Sequence, residues 1–420
     1  MPAGAALVKL LLHLPVLHRF GFHHDELYFI ACGDHLSFGY VDHAPLVPWI
    51  ARLATTVFGE SLVGLRIFAT LAGALTIFLI GMLASRMGGG RFAQLLACLA
   101  WLVAPVSLRT GNMLAIPSFE PLFWVACAWV LVRIADEGSP RLWPWLGLIA
   151  GGGLLNKHSM LFFGFGLAVG LLATPLRRHL RTPWPWMGAG VALLLFLPNI
   201  VWQVQHGWPT ASFLRSLNET VMAGVSKLQF VGGQLLYMNP FAAFVALLLF
   251  GGILFSPLSL PYLSIQKTDR FVDRVTFGAM GNIYELTGDL HGMFGWPERI
   301  ETVAAVWEQV PAAERSRTLL FAAGYGNAGA IDFLGREHGL PRAVSLDKTY
   351  WMWGLPEGPI DTVIAVGFPA ETLKRIWEEV EVVRSVELQD VNPWSTPFQV
   401  AICRKPRVPL HDLWARNRPW

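Results

Sequence analysis

Charge is what this 420-residue chain has least of: Asp, Glu, Lys and Arg make up 15% of it, against roughly a quarter in soluble domains. Cysteine is equally sparse. There are four, two of them (Cys98 and Cys127) inside apolar runs, so no disulfide framework is legible and a secreted disulfide scaffold is excluded. Charge of one sign is lacking too: the net charge of +3 is too small to point to nucleic acid as a partner. Disorder and coiled coil fail on the same composition. What is present is 54% hydrophobic residues, with 18 Trp and 27 Phe and a mean hydropathy of +0.46. A chain with that balance lacks the polar surface to face water on all sides, and its aromatics suit membrane interfaces as well as cores. It reads as a membrane protein.

The average conceals two populations. Residues 1–260 carry 24 charges, roughly 9%, whereas residues 261–420 carry 37, roughly 23%, the density of an ordinary soluble domain. The change falls at the Pro/Ser stretch Ser256–Pro261, suited to a linker. The expected organisation is a mainly α, polytopic transmembrane domain over 1–260, a linker and helical segment over 261–315, and a small soluble α/β domain over 316–420. About 20 apolar residues are needed per spanning helix. Runs of that kind lie at 3–20, 61–84, 92–108, 117–134, 142–155, 159–174, 184–202 and 240–256, about eight spans, with 228–238 re-entrant or interfacial. Segment 3–20 lacks a small-x-small cleavage site and leads into an acidic cluster, so it reads as a retained first helix and not a signal peptide.

The loops alternate in charge. Arg86 and Arg91, then Arg133 and Arg141, then Arg177, Arg178 and Arg181 mark three short loops that the positive-inside rule places in the cytoplasm. Loop 21–60, loop 109–116, the turn Asn156-Lys157-His158 and loop 203–227 then face outward. The unusual residues gather on that side. Loop 21–60 holds His23, His24, Asp25, Glu26, Asp34, His35, Asp42 and His43. Four carboxylates and four imidazoles in about twenty residues are costly at a membrane surface and argue for function. Glu120 sits between Pro117 and Pro121 at the start of a span, and Lys157 and His158 separate two apolar helices. Arg66 and Arg109 also need anions at lipid depth, unless they snorkel to headgroups. Carboxylates above and cations below suit a lipid with an anionic head, such as a polyprenyl phosphate.

The runs Asp25-Glu26-Leu27-Tyr28 and Gly39-Tyr40-Val41-Asp42-His43-Ala44-Pro45-Leu46-Val47 carry a specific resemblance. They resemble the first extracytoplasmic loop of C-type membrane glycosyltransferases of family 39. That group includes the dolichyl-phosphate-mannose–protein mannosyltransferase-like proteins and the lipid A aminoarabinose transferase. Gly64-Leu65-Arg66, Glu120-Pro121-Leu122 and Gly153-Leu154-Leu155-Asn156-Lys157 continue the likeness over most of 20–215. Ala44 replaces the first Pro of the family pattern, and Glu120 stands where relatives often have Asp. The resemblance implies transfer of a sugar from a polyprenyl-phosphate donor to a lipid, glycan or protein acceptor, in a multi-pass protein of the cell (inner or plasma) membrane. The active site would be extracytoplasmic. It implies Asp25 as general base on the acceptor, with Glu26 orienting the acceptor or neighbouring cations. Lys157, Arg66 and Arg109 would stabilise the leaving phosphate, with Glu120, Asp42 and His43 as further substrate-binding residues. Compared with full-length relatives the chain reads as shortened, lacking spans before the tail. Counting eight spans from a cytoplasmic N-terminus leaves the tail inside, whereas family members place it outside.

No cofactor is required by this reading. A Zn or Mg ion on the same cluster is the rival use, with His24 and Glu120 as candidate ligands; no H-E-x-x-H or paired Cys/His spacing supports it. In the tail, a strand at Thr318–Ala323 precedes Gly324-Tyr325-Gly326-Asn327-Ala328-Gly329, a helix over Ala330–His338 and a second strand Ala343–Leu346 ending at Asp347. That is the layout of a dinucleotide site, although an isolated G-x-G-x-x-G also serves tight turns. A strand at Thr362–Gly367, an amphipathic helix over Glu371–Val383 and a strand at Phe398–Arg404 complete the expected domain. The aromatic run Tyr350-Trp351-Met352-Trp353 suits a core patch or a sugar-stacking surface. The competing functions are a transporter using the acidic loop as a cation gate, and a non-catalytic membrane scaffold whose tail binds a nucleotide or partner.

Overall fold

The computed structural model of the chain describes residues 1–220, 226, 232, 256–275 and 284–419. The expected re-entrant stretch 228–238 and nearly all of the span 240–256 lie outside them. Two compact units divide the chain: Met1–Arg19 with Leu36–Leu263, and Phe20–His35 with Ser264–Trp420. This differs from a simple cut at residue 260, because Phe20–His35 leaves the N-terminal part and belongs with the tail.

The first unit is helical. Leu62–Arg86, Ile116–Glu137 and Pro183–Gln205 are long and apolar enough to cross a bilayer by themselves, and Met160–Ala173 with Pro175–Arg181 forms a bent pair that qualifies as one more. Pro2–Val16, Leu46–Phe58 and Arg91–Leu102 are shorter apolar helices, and Trp143–Asn156 is a further 14-residue one. Within the described residues, the expected runs other than 240–256 reappear as helices, several of them too short to cross alone. The 92–108 run stops at Leu102 and restarts as Pro105–Thr110, since Pro105 supplies no N–H and cannot continue the preceding helix. Phe162, Phe165, Leu172 and Leu194 point outward, which suits lipid and not water. Where helices touch, glycine permits it: a Cβ on Gly147 would lie 2.0 Å from the Gly188 carbonyl oxygen. Some of the polar groups inside are satisfied by backbone. Lys9 Nζ donates to the Ser107 carbonyl at 2.5 Å, and His13 bridges the carbonyls of Lys9 and Leu108 at 2.9 Å each.

The second unit is built on a five-stranded sheet of order β2-β1-β3-β5-β4, with β1 Thr318–Ala322, β2 Ala343–Val344, β3 Thr362–Val366, β4 Trp377–Val386 and β5 Phe398–Pro406. β2, β1 and β3 are parallel, while β5 runs antiparallel to β3 and β4 antiparallel to β5. Two sequence expectations are corrected here. The helix after β1 is Gly324–Leu334, so the glycine run forms its first turns instead of preceding it. The expected helix over Glu371–Val383 is only Ala370–Lys374, and Trp377–Val386 is a strand. Val380, Val382, Val383 and Val386 are β-branched and stiff in a helix, and pairing with β5 outweighs the helical period. The remaining Glu side chains face solvent along this edge strand, which discourages further pairing.

Candidate functional site

The acidic helix His24–Asp34 is the element that carries the predicted base. His23 caps it: its Nδ1 accepts the Asp25 N–H at 3.2 Å, and Glu26 Oε2 accepts the His23 N–H at 2.8 Å. This is a capping box with histidine in the Ser/Thr role, and Asp25 and Glu26 in the first turn favour the helix dipole. Glu26 is fully buried, so its carboxylate serves the start of the helix. Asp25 is the more accessible acid of the pair, half-buried with a third of its side chain accessible.

The partners of Asp25 come from the far end of the chain. Tyr325, in the glycine run, donates its phenol to Asp25 Oδ1 at 2.8 Å. Lys348, held at φ +47°, places its ammonium 3.9 Å from the centre of the Tyr325 ring and 5.3 Å from that of Tyr28. A bulky residue in the left-handed region is strained, a recurrent mark of functional sites. Tyr28 is fixed by donating to Thr349 Oγ1 at 2.7 Å. His23 Nδ1 and His24 Nε2 lie 3.7 and 3.6 Å from the Asp25 carboxylate. Burial pushes the Asp25 carboxyl up, but His23, His24, Lys348 and the Tyr325 hydroxyl together hold it below the ordinary carboxylate value. It is therefore ionised at neutral pH. Burial, with His23 next, drives His24 down to about 4 against the pull of Asp25 and Asp289, so its imidazole is neutral there.

The glycines of the G-x-G-x-x-G run are accounted for by this packing. A Cβ on Gly326 would lie 3.0 Å from that of His24, and one on Gly329 would lie 2.9 Å from the Leu27 carbonyl carbon and oxygen. Gly324 takes φ +74°. Asp347, read as the acid of a dinucleotide site, accepts the Tyr325 N–H on Oδ2 at 3.2 Å, placing a carboxylate of the chain itself where a phosphate would meet the helix N-terminus. The aromatic run is also structural: Tyr350 is buried, Trp353 stacks on His35 at 4.1 Å, and the Trp351 indole donates to the Trp414 carbonyl at 2.8 Å.

The other predicted residues lie in the first unit. Glu120 and Lys157 meet: Lys157 Nζ donates to Glu120 Oε2 at 2.8 Å, and Ser159 Oγ donates to Oε1. The unpaired acid and the unpaired ammonium read from the sequence answer each other. Arg66 is fully buried and donates to the Leu17 and Arg19 carbonyls at 3.0 and 3.2 Å. Arg109 is half-buried on the short helix Pro105–Thr110. His43 is buried, with Nδ1 2.9 Å from the Ala44 carbonyl and Nε2 3.8 Å from Asp42. His158 contacts Asn199 at 3.2 Å. The candidate metal ligands His24 and Glu120 fall in different units. Instead His24 groups with His23 and Asp25, whose ligand atoms all lie within 4.8 Å of one another. The donor types fit a divalent ion such as Zn, although His23 Nδ1 is engaged by the helix cap.

Sequence reasoning missed Tyr325, Lys348 and His23 as partners of Asp25. The only signal for Tyr325 was its place in the glycine run, which pointed to a nucleotide.

A mainly helical membrane protein with a small α/β unit, whose acidic helix is lodged in that unit, is the class defined so far. Comparison with known proteins makes it specific. Residues 42–202 match the family model described as dolichyl-phosphate-mannose-protein mannosyltransferase. The chain is 31% identical over 129 residues to the polyprenol-phosphate-mannose–protein mannosyltransferase of Corynebacterium glutamicum, covering 31% of this chain and 24% of that protein. It is 36% identical over 162 residues to the undecaprenyl phosphate-alpha-4-amino-4-deoxy-L-arabinose arabinosyl transferase of Pseudomonas paraeruginosa, covering 36% and 28%. The matched stretch thus spans about a quarter of each curated relative. The fold is that of ArnT from Cupriavidus metallidurans, solved bound to undecaprenyl phosphate: TM-score 0.57 at 14% identity, over 95% of this chain and 97% of that one. Over residues 42–202 the chain is thus similar to proteins of the mannosyltransferase and aminoarabinose-transferase type, as its motifs indicated.

Proposed function

We propose that the chain is an integral-membrane glycosyltransferase that moves a sugar from a polyprenyl-phosphate donor to a hydroxyl or amine of a lipid, glycan or protein acceptor. The observation that carries the reading is the setting of Asp25: an accessible carboxylate, ionised at neutral pH, oriented by the Tyr325 hydroxyl and flanked by Lys348. A base so placed takes the acceptor proton as the acceptor oxygen or nitrogen attacks the anomeric carbon. The bond from that carbon to the phosphate oxygen breaks, its electron pair stays on that oxygen, and polyprenyl phosphate departs as an anion. Lys157, Arg66 and Arg109 of the first unit are the cations that the family resemblance offers for that charge. Asp42 and His43 belong to the same substrate-binding set, and Glu26 acts by fixing the turn that presents Asp25.

In this reading the chain crosses the cell (inner or plasma) membrane several times, about eight in all, with its chemistry on the extracytoplasmic side. The acidic helix and the tail share one compact unit, so they share that side. No cofactor enters the steps above. A divalent ion, where one is used, would be held by His23, His24 and Asp25.

The test is a proteoliposome assay of the purified chain with polyprenyl-phosphate-linked mannose and aminoarabinose, following release of polyprenyl phosphate and labelling of added acceptors. Transfer from either donor is expected. A folded protein that releases no polyprenyl phosphate from either contradicts the proposal.

A further inference from the structure

In the second unit the chain leaves β1 for β2 on one side and returns to β3 on the other, so β1 and β3 form the switch point of the parallel strands. Ligands of open α/β sheets lie outside the carboxyl ends of the strands at such a point. The residues that follow all three strands, Ala323-Gly324, Asp347 and Gly367, line two cavities of about 480 and 400 Å³ there. Both sizes lie in the range of small-ligand pockets, roughly 300–1,000 Å³. The two cavities share Arg299, Asn327 and Trp394.

Their polar lining is incomplete in a particular way. Arg299 is 7% exposed, lies over the Trp296 ring at 4.6 Å, and donates from one terminal nitrogen to Asn327 Oδ1 at 3.0 Å. Its Nε–H has no partner among the described residues. Asn392, 8% exposed, gives its Nδ2 to the Gly288 carbonyl at 3.0 Å, while its Oδ1 has no partner among them either. A buried donor and a buried acceptor left unmade each cost free energy. Beside them the Trp394 indole is 70% exposed, with Tyr284 edge-on at 6.4 Å.

We infer that this double cavity is the acceptor subsite and that it holds a saccharide. Hydroxyls suit the guanidinium and amide side chains of Arg299, Asn327 and Asn392 that line the cavities, and the C–H face of a pyranose lies flat on the exposed Trp394 indole. Inorganic phosphate answers the Arg299 guanidinium but has no C–H face to lie on the exposed Trp394 indole. A dinucleotide meets a helix N-terminus already engaged by Asp347 and glycines already covered by His24 and Leu27. Tyr325 lines the larger cavity and its hydroxyl reaches Asp25, so a saccharide bound there has the base at its edge. The inference rests on the transferase reading for the word acceptor, and on the cavity alone for the word saccharide.

The full chain in lipid nanodiscs, probed by saturation-transfer NMR with mannose, glucosamine and inorganic phosphate, separates the two. The wild-type protein is expected to bind a sugar and not phosphate, with Trp394→Ala weakening the sugar about five- to tenfold, the scale of one aromatic contact. Arg299→Gln is expected to weaken it as well. Because Trp394 is exposed, its variant keeps the fold even where Arg299→Gln loses it. In the transfer assay Trp394→Ala is expected to raise the acceptor KM more than it lowers kcat. A sugar signal absent from the wild type, or unchanged in Trp394→Ala, or replaced by phosphate alone, overturns the inference. Transfer with an unchanged acceptor KM in Trp394→Ala overturns this site and leaves the transferase reading standing. Sugar binding lost in the variant without any transfer by the wild type does the reverse.

Discussion

The phenol of Tyr325 and the carboxylate of Asp25, 300 positions apart in the chain, meet at 2.8 Å. This contact joins the tail to the acidic helix and, with Asp25 as the proposed base, would make the tail part of the chemistry. Tyr325→Phe removes a donor to a charged acceptor, an interaction of about 1.5–3 kcal/mol, so kcat/KM at neutral pH is expected to fall about ten- to a hundredfold. The hydroxyl is one of the groups that hold the Asp25 carboxyl down, so its loss raises that pKa. The acidic limb of the pH profile then moves to higher pH, which kcat/KM measured across pH reads directly. A structural role alone would lower activity without moving the limb.

Gly329 faces the Leu27 carbonyl so closely that a Cβ would sit 2.9 Å away. Gly329→Ala is expected to push the two helices apart and cost about 1–3 kcal/mol, seen as a lower Tm of the second unit and a loss of transfer. A neutral effect on both would return the glycine run to other uses.

Lys157 and Glu120 are partly exposed and paired at 2.8 Å. Such a pair contributes about 0–1 kcal/mol to stability, so Lys157→Met is expected to leave Tm nearly unchanged while lowering transfer at least tenfold. The charge-swapped double variant Glu120→Lys with Lys157→Glu is expected to fold without recovering transfer. Recovery in the double variant would mean that the pair is structural.

Asp332 is a half-buried acid of the second unit that accepts from the Ala343 N–H and the Tyr350 hydroxyl at 2.7 and 2.9 Å. Burial raises it to about 6 despite those bonds and the nearby Arg342 and Arg336. The folded state then holds a proton that the unfolded chain releases between the ordinary aspartate value and about 6, so this group's contribution to stability falls as pH rises through that window. Asp332→Asn keeps the shape and removes the charge. Its stability relative to wild type is expected to improve from pH 4 to pH 7 in paired chemical denaturation curves; a pH-independent difference would refute the assignment.

The acidic pair, the glycine run and most apolar helices were legible because they depend on local pattern: hydrophobic runs, arginines in short loops, and motif order around Asp25 and Asp42-His43. What the pattern could not show is the long-range pairing. Tyr325 and Lys348 reach Asp25 only through the tertiary fold, and Gly326 and Gly329 satisfy both a dinucleotide signature and a close helix crossing. Trp377–Val386 carries Glu378, Glu379 and Glu381, which fit a helix face as well as an edge strand, and its β-branched residues and the partner β5 decide between them.

The most direct test of the account is Asp25→Asn in the proteoliposome transfer assay, with folding checked by the Tm of the second unit. Loss of the base is expected to lower kcat by about 10²–10⁴ with donor binding retained. Unchanged turnover in a folded Asp25→Asn protein would contradict the assignment of this carboxylate and, with it, the proposed mechanism.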